Sequence, residues 1–293
     1  MEFKDIIVLC FHRVSDEFSP AYPPIPVKVF DKICRFLSAN YNIIHPHAVF
    51  EPRHTKTQAL LVTFDDAYLD FYENALPILK KYKIPVIQHV ITKCAESGQP
   101  FWTQRLNKVL DNYFINKEQL IFSPLNIDKK LKNKRDTEQT ALSIYKYLLA
   151  KNDRETFLIE LENNLSVRVK HTKMMTWSHL KEAMNHDIII GSHTHSHNNL
   201  KELTSKEVTQ ELSTSKDLIL MNVPVQEKLF LSYPNGEYSS EVMNIAKNLD
   251  YNMAFTTVEE KFDENHVKLA VPRFHIFHDK WWKNYIRLKM QVK

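Results

Sequence analysis

Asp65 and Asp66 stand side by side at the end of an apolar run, Ala59-Leu60-Leu61-Val62-Thr63-Phe64. A second run, Ile188-Ile189-Ile190, empties into Gly191-Ser192-His193-Thr194-His195-Ser196-His197. Consecutive side chains on a strand face opposite ways, so an acidic pair can serve one site only where the strand stops and its pleat is broken. The pair sits at such a place. One carboxylate and two imidazoles suit a catalytic divalent ion, and the second carboxylate can take a proton from the water that such an ion activates. The chemistry this set points to is metal-assisted hydrolysis. On an extended segment His193, His195 and His197 share one face, so His195 is a rival ligand. A polar loop with incidental histidines is the plain alternative.

The elements that must position these groups are short apolar runs alternating with amphipathic segments, the βα pattern of a mainly parallel sheet covered by helices. Ile6–Phe11, Ala59–Phe64, Val86–Ile91, Ile188–Ile190 and Leu229–Tyr233 read as strands, and Met253–Thr256 and Lys268–Val271 as late ones. Phe30, Ile33, Cys34 and Leu37 follow helical spacing. Tyr68–Lys81 reads as a helix facing inward through Phe71, Ala75 and Ile78 and kinked by Pro77. Thr204 and Glu207 form a capping box for a helix carrying Val208, Leu212 and Ile219. Val242, Ile245, Ala246 and Leu249 mark the next helix, and Trp282, Tyr285 and Ile286 begin a C-terminal one. Residues 101–173 break the rhythm, with helical spacing and little strand character. They read as a helical insertion within a single domain spanning 1–293, with either a capping or a bracing role.

With 293 residues, 43% of them hydrophobic, the chain can bury a substantial core. Lys and Arg outnumber Asp and Glu by only 39 to 35. That mild excess lacks the concentrated basic stripe of a nucleic-acid binder, and the densest cluster, Lys129 to Arg135, reads as a solvated helix end or loop. Three cysteines without CxxC spacing argue against a disulfide framework and a thiolate zinc site, and read as reduced core thiols. The Ile6–Phe11 run is too short for a signal sequence, and no apolar stretch approaches the roughly 20 residues needed to cross a bilayer. The expected location is cytoplasmic, with membrane association left open. Only Gly98, Gly191 and Gly236 occur, against a usual share of about 7%. Two of the three flank candidate site residues.

Thr63-Phe64-Asp65-Asp66, His193-Thr194-His195-Ser196-His197 and Tyr233-Pro234-Asn235-Gly236, in that order, make the chain resemble the polysaccharide deacetylases of carbohydrate esterase family 4, the chitooligosaccharide deacetylase homology group. Ala75 to Pro85 and Met175-Thr176-Trp177 extend the resemblance over most of the chain outside the insertion. The resemblance implies a distorted (β/α) barrel, a divalent metal and removal of an N-acetyl group from a sugar. It also selects among the open ligands: Asp65 would be the general base, and Asp66, His193 and His197 the metal ligands, with His195 beside them. A main-chain N–H near Asn235, after Tyr233, would face the developing oxyanion.

Amide hydrolysis also needs an acid for the departing nitrogen. Val8-Leu9-Cys10-Phe11-His12-Arg13-Val14 resembles the N-terminal strand of family members with permuted motif order, which makes His12 the first candidate and His275 and His278 the alternatives. Many members carry an Arg before the third motif to hold the base, and here that residue is Ser232. Arg273, in Val271-Pro272-Arg273, matches the late Pro-Arg of members lacking the earlier Arg, and is expected to grip Asp65. Ala67 replaces the usual Gly after the acidic pair.

The expected activity is a metal-dependent carbohydrate N-deacetylase, a hydrolase acting on a polysaccharide, an oligosaccharide or a lipid- or nucleotide-linked precursor. Zinc is the expected ion, and cobalt or nickel suit the same ligands. The alternatives are hydrolysis of a small cyclic amide or imide, and a sugar-binding protein without catalysis. Neither a nucleic-acid partner nor a transmembrane segment is expected.

Overall fold

The computed structural model describes residues 5–50, 58–149, 151, 154–223 and 226–291. Strands β1 (Ile6–Phe11), β2 (Asn42–Ile43), β3 (Ala59–Phe64) and β4 (Val86–Val90) precede the hairpin strands β5 (Gln119–Phe122) and β6 (Ile127–Lys130). Strands β7 (Ile188–Ser192), β8 (Phe230–Ser232), β9 (Met253–Phe255) and β10 (Phe274–His275) follow. The chain divides into two compact units, one made of 1–16, 25–98 and 174–293, the other of 17–24 and 99–173.

The first unit is a curled, parallel eight-stranded sheet in the order β10-β1-β3-β4-β7-β8-β9, with β2 branching from β3. Helices surround it: α1 (Val27–Asn40), α2 (Leu76–Tyr82) and α3 (Thr92–Ser97) in its first part. This is the distorted (β/α) barrel expected from the sequence. The two outer strands approach through one segment, since Val271 bridges to Phe255 of β9 while Phe274 and His275 pair with Leu9 and Cys10 of β1.

Alternation along the strands sorts the core. Ile7, Leu9 and Phe11 of β1 and Leu60, Val62 and Phe64 of β3 belong to the large cluster shared with the helices. Ile6 and Val8 of β1, Ala59 and Leu61 of β3 and Ile87 of β4 line the other face with Phe230, Met253, Phe255 and Val271. Continuing that inner face toward the carboxyl ends of the strands by the period of two reaches Cys10, Thr63 and Asp65, and His89. The lumen of the barrel therefore changes from apolar to ionisable at the end where enzymes of barrel architecture carry their sites.

The second unit contains α4 (Trp102–Ile115), α5 (Lys134–Leu149) and α6 (Arg154–Asn163), with residues 150, 152 and 153 of the expected insertion outside the described residues. It also contains the antiparallel pair β5–β6, which its helical spacing did not announce. Leu106, Val109, Leu110, Tyr113, Ile144 and Leu158 form its own core.

Helices α7 (Trp177–Met184), α8 (Ser205–Asn222), α9 (Ser240–Asn248) and α10 (Trp281–Gln291) complete the first unit. The capping box at α8 is present, the Glu207 carboxylate accepting from the Thr204 N–H at 2.8 Å. Two expectations need correction. The helix expected over Tyr68–Lys81 is split: Phe71–Ala75 is a π turn and α2 starts at Leu76, with Pro77 in its first turn. Proline lacks an N–H and its ring crowds the preceding turn, so the wider turn ahead of it absorbs the conflict. The strand expected over Lys268–Val271 shrinks to a single bridge at Val271, after a turn closed by the Ala270 N–H on the Val267 carbonyl at 2.8 Å. Pro272 cannot donate to a ladder, and the strand resumes only at β10. The expected C-terminal helix is present as α10, which exposes Trp282, Tyr285 and Ile286 and buries Asn284 and Leu288.

Candidate active site

The parallel register brings the site together. Phe11 lies opposite Phe64, Phe64 opposite Gln88, Val90 opposite Ser192, and Ser192 opposite Leu231. Residues one or two steps beyond these rungs, His12, Asp65, Asp66, His193 and Ser232, thus emerge at one end of the sheet. The Asp65 N–H still continues the ladder, donating to the Phe11 carbonyl at 3.0 Å. Asp66 and Ala67 then turn left-handed, with φ of 73° and 60°. This break lets neighbouring carboxylates serve one site, and the Ala67 carbonyl is fixed by the Met175 N–H at 2.8 Å.

Asp65 is buried and gripped from several sides. Arg273 places two guanidinium nitrogens 2.9 and 2.8 Å from its two oxygens. The Ser232 hydroxyl donates at 2.9 Å, and His89 Nδ1 lies 2.8 Å away. Arg273 is itself held by the Thr256 carbonyl, the Thr63 hydroxyl and the Ser232 hydroxyl. Burial alone would raise the Asp65 carboxyl, but Arg273, His193 and His89 outweigh it and hold it well below the usual carboxylate range. The stability gained from this ionised form is fully present above the ordinary aspartate value of about 3.9 and is lost as pH falls through the lowered folded value. Burial lowers His89 to about 4, so it is neutral at neutral pH, and its Nδ1–H donates to Asp65.

Asp66 faces other partners. Its Oδ1 is buried without a hydrogen bond and lies 3.4 Å from His193 Nε2 and 3.6 Å from His197 Nε2. The three ligand atoms lie within 4.8 Å of one another. These separations are long for charge-assisted hydrogen bonds, and they match the edge of a tetrahedron around an ion bonded at about 2.1 Å, which is about 3.4 Å. His193 Nδ1 is 2.7 Å from the Ser232 carbonyl, so that nitrogen carries the proton and Nε2 is left as the donor atom. Burial tends to raise the Asp66 carboxyl, but His193, His12 and His197 bring it below its ordinary value. Burial, then His193, lowers His197 to about 4, in keeping with a neutral ligand. The donor set fits a divalent cation.

Cys10, His12 and Asp65 form a second group whose ligand atoms lie within 4.8 Å of one another. A cation is disfavoured there, because the Arg273 charge already occupies Asp65 and the Cys10 thiol is pushed well up by burial. His12 is half-buried beside Asp65, its ring 6.0 Å from that of His275. Burial and then Arg273 bring His275 down to about 3, which leaves it neutral and a weak proton source. His278 sits further along, its ring against Phe277 and its backbone held by Asn284.

His195 is separated from His193 and His197 because the loop is not extended: Thr194 and His197 are left-handed, with φ of 65° and 58°, so the alternation fails. Its Nδ1 meets the Thr92 hydroxyl at 3.0 Å instead. The Tyr233 side chain is 1% exposed and donates its hydroxyl to the Leu269 carbonyl, so it braces the turn that carries Asn235. In that turn the Gly236 and Glu237 N–H groups bond back to Tyr233 and Pro234. Asn235 is left-handed and exposed.

The family model for polysaccharide deacetylase matches residues 53–121 and 125–254, and the chain belongs to that family. His12, Arg273, His275 and His278 fall outside the matched residues. A Bacillus subtilis (strain 168) protein described as a polysaccharide deacetylase, YxkH, is 23% identical over 255 residues, covering 85% of this chain and 63% of its own length. The chain thus spans less than two thirds of that curated relative. Among solved structures, the Streptococcus pyogenes deacetylase PplD, in complex with acetate, aligns with a TM-score of 0.66 and 19% identity over 97% of both chains. IcaB from Ammonifex degensii aligns at 0.62 and 16% identity over 96% of this chain and 95% of its own. At such identities the solved structures speak for the fold.

Three site residues escaped the sequence. His89 is hidden in the buried strand β4, where a polar Gln88-His89 pair among aliphatic residues is its only signal, and Gly191 makes room for its ring, since an added Cβ would collide with it. The Ser232 hydroxyl joins Asp65 to Arg273. Glu211, on α8, accepts from the N–H groups of His195 and Ser196 at 3.1 and 2.9 Å and from the Ser196 hydroxyl, and so holds the loop between His193 and His197. Replacing Glu211 with Ala is expected to weaken divalent-metal affinity about tenfold or more, measured by competition with a chromophoric chelator. Unchanged affinity would show that the loop holds its shape without this carboxylate.

Proposed function

We propose that the chain is a metal-dependent N-deacetylase acting on an N-acetylated sugar within a polysaccharide, an oligosaccharide or a lipid- or nucleotide-linked precursor. The observation that carries this reading is the convergence of Asp66, His193 and His197 on one buried point next to a separately held carboxylate, in a polysaccharide deacetylase chain. Asp66, His193 and His197 would hold one divalent ion, zinc by preference with cobalt or nickel also suited. When bound, such an ion supplies Lewis-acid polarisation of the acetamide carbonyl and a lowered pKa for the attacking water.

The chain's own residues supply the rest. Asp65 accepts the proton of the attacking water, and Arg273, Ser232 and His89 fix its orientation. These donors already occupy its oxygens, so one of them must yield as the proton arrives. The Asn235 N–H stabilises the oxyanion, a main-chain role that tolerates Asn in place of an aromatic side chain. His12 protonates the departing nitrogen, an amine anion being a very poor leaving group. The products are acetate and the free amino sugar.

Zinc-loaded protein should release acetate from N-acetylhexosamine oligomers and lose that activity on chelation. Asp65→Asn should retain the metal and lose the rate, and Asp66→Ala should lose both. Equal metal content and equal activity in the two variants would contradict the assignment. Acetate release from none of the acetylated sugars, with turnover of a cyclic imide, would favour the second hydrolase reading. Binding of acetylated sugars without turnover by the metal-loaded protein would favour the binding reading.

His12→Gln should slow amide hydrolysis by about 10²–10⁴ but spare an aryl acetate, whose phenolate leaves without protonation. Equal losses on the two substrates would remove His12 from the acid role.

A further inference from the structure

The second unit carries an apolar cleft with a lysine rim, formed wholly by its own residues. Phe18, Phe114, Ile115 and Leu131 line a volume of about 620 Å³. Phe18 and Ile115 are 47% and 52% exposed, and the Phe18 and Phe114 rings lie face to face at 6.2 Å. Lys117, Lys130 and Lys132 complete the wall, and the Lys134 ammonium stands 4.8 Å over the Phe18 ring. The carboxylates nearby are engaged elsewhere: Glu17 with Lys108, Glu118 with Ser166, and Asp136 with Lys129.

Charge is distributed to match. Residues 17–24 and 99–173 contain fourteen Lys and Arg against ten Asp and Glu, a formal +4 that equals the +4 of the whole chain. The remaining residues balance at 25 of each sign. A charge excess that looks mild and dispersed along the sequence is therefore concentrated in this unit.

The lining side chains tell against a sugar: none of them bears a carboxylate, an amide or a hydroxyl, the groups that read sugar hydroxyls with direction. They tell against a peptide strand or helix for the same reason, since an ammonium on a flexible stem is a point charge without a fixed fork. Diffuse negative charge over an apolar layer needs no directional partner, and the exposed Phe18 and Ile115 flanked by Lys are suited to it. We propose that this face of the second unit docks on an anionic phospholipid bilayer, Phe18 and Ile115 entering the interface and the lysines meeting phosphate headgroups. This inference is independent of the deacetylase reading.

The test is flotation of the full chain with vesicles. Protein should co-float with mixed phosphatidylglycerol and phosphatidylcholine vesicles at low salt, remain behind with phosphatidylcholine alone, and detach as sodium chloride is raised. Combined Lys117→Glu, Lys130→Glu and Lys132→Glu should reduce the bound fraction about tenfold or more, and Phe18→Ser with Ile115→Ser should also reduce it. The charge-matched control of Lys28→Glu, Lys206→Glu and Lys247→Glu, all exposed in the first unit, should bind as the parent does. Absence of binding to anionic vesicles, equal binding to both vesicle types, or equal loss in the control would overturn the proposal. Retention on an immobilised acidic amphipathic Glu/Leu peptide without vesicle binding would overturn it in favour of a protein partner.

Discussion

The buried ion pair between Arg273 and Asp65 is the interaction on which the rest of this site depends. Both side chains are almost wholly enclosed, 1% and 3% exposed. Taking two charges out of water is tolerable only when each is met by its partner and by further hydrogen bonds. Here Thr63, Thr256, Ser232 and His89 provide them. Loss of either partner would strand the other charge, at a cost of about 3–5 kcal/mol. Arg273 also stands on the segment that touches β9 at Val271 and β1 at Phe274, so the curl of the sheet and the setting of Asp65 are fixed by the same stretch of chain.

Two adjacent carboxylates thereby receive different assignments. Asp65 is surrounded by hydrogen-bond donors and one fixed positive charge. Asp66 is turned by its left-handed backbone toward two imidazole nitrogens, with an oxygen that no donor among the described residues satisfies. Carboxylates whose surroundings push them toward different partners are a recurring sign of divided chemical labour. Ser232 links the halves, its hydroxyl serving Asp65 and Arg273 while its carbonyl orients His193. A residue that departs from the family pattern is a joint between Asp65 and His193.

Much of this was legible in the residues. The two strand-end clusters and the parallel βα rhythm led to the barrel, and the late Pro-Arg pair led to the contact between Arg273 and Asp65. What stayed hidden was what local pattern cannot encode. His89 sits beside Gln88 in an otherwise aliphatic strand, and only the register of β4 against β3 and β7 turns it onto Asp65. The alternation that made His195 a rival ligand presumed an extended segment, which left-handed Thr194 and His197 remove. Lys268–Val271 reads as a strand because its apolar residues pack inward, but only Val271 bridges to β9 before Pro272 interrupts the pairing. The hairpin of the second unit went unseen because the polar residues of Ile127-Asp128-Lys129-Lys130 carry little strand signal.

Diffraction from crystals soaked in zinc, collected on both sides of the zinc absorption edge, tests the central claim most directly. The account predicts one anomalous peak at about 2.0–2.2 Å from Asp66 Oδ1, His193 Nε2 and His197 Nε2, with Asp65 still gripped by Arg273. A peak at Cys10, His12 and Asp65, or zinc coordinated by Asp65 with its arginine displaced, would contradict it.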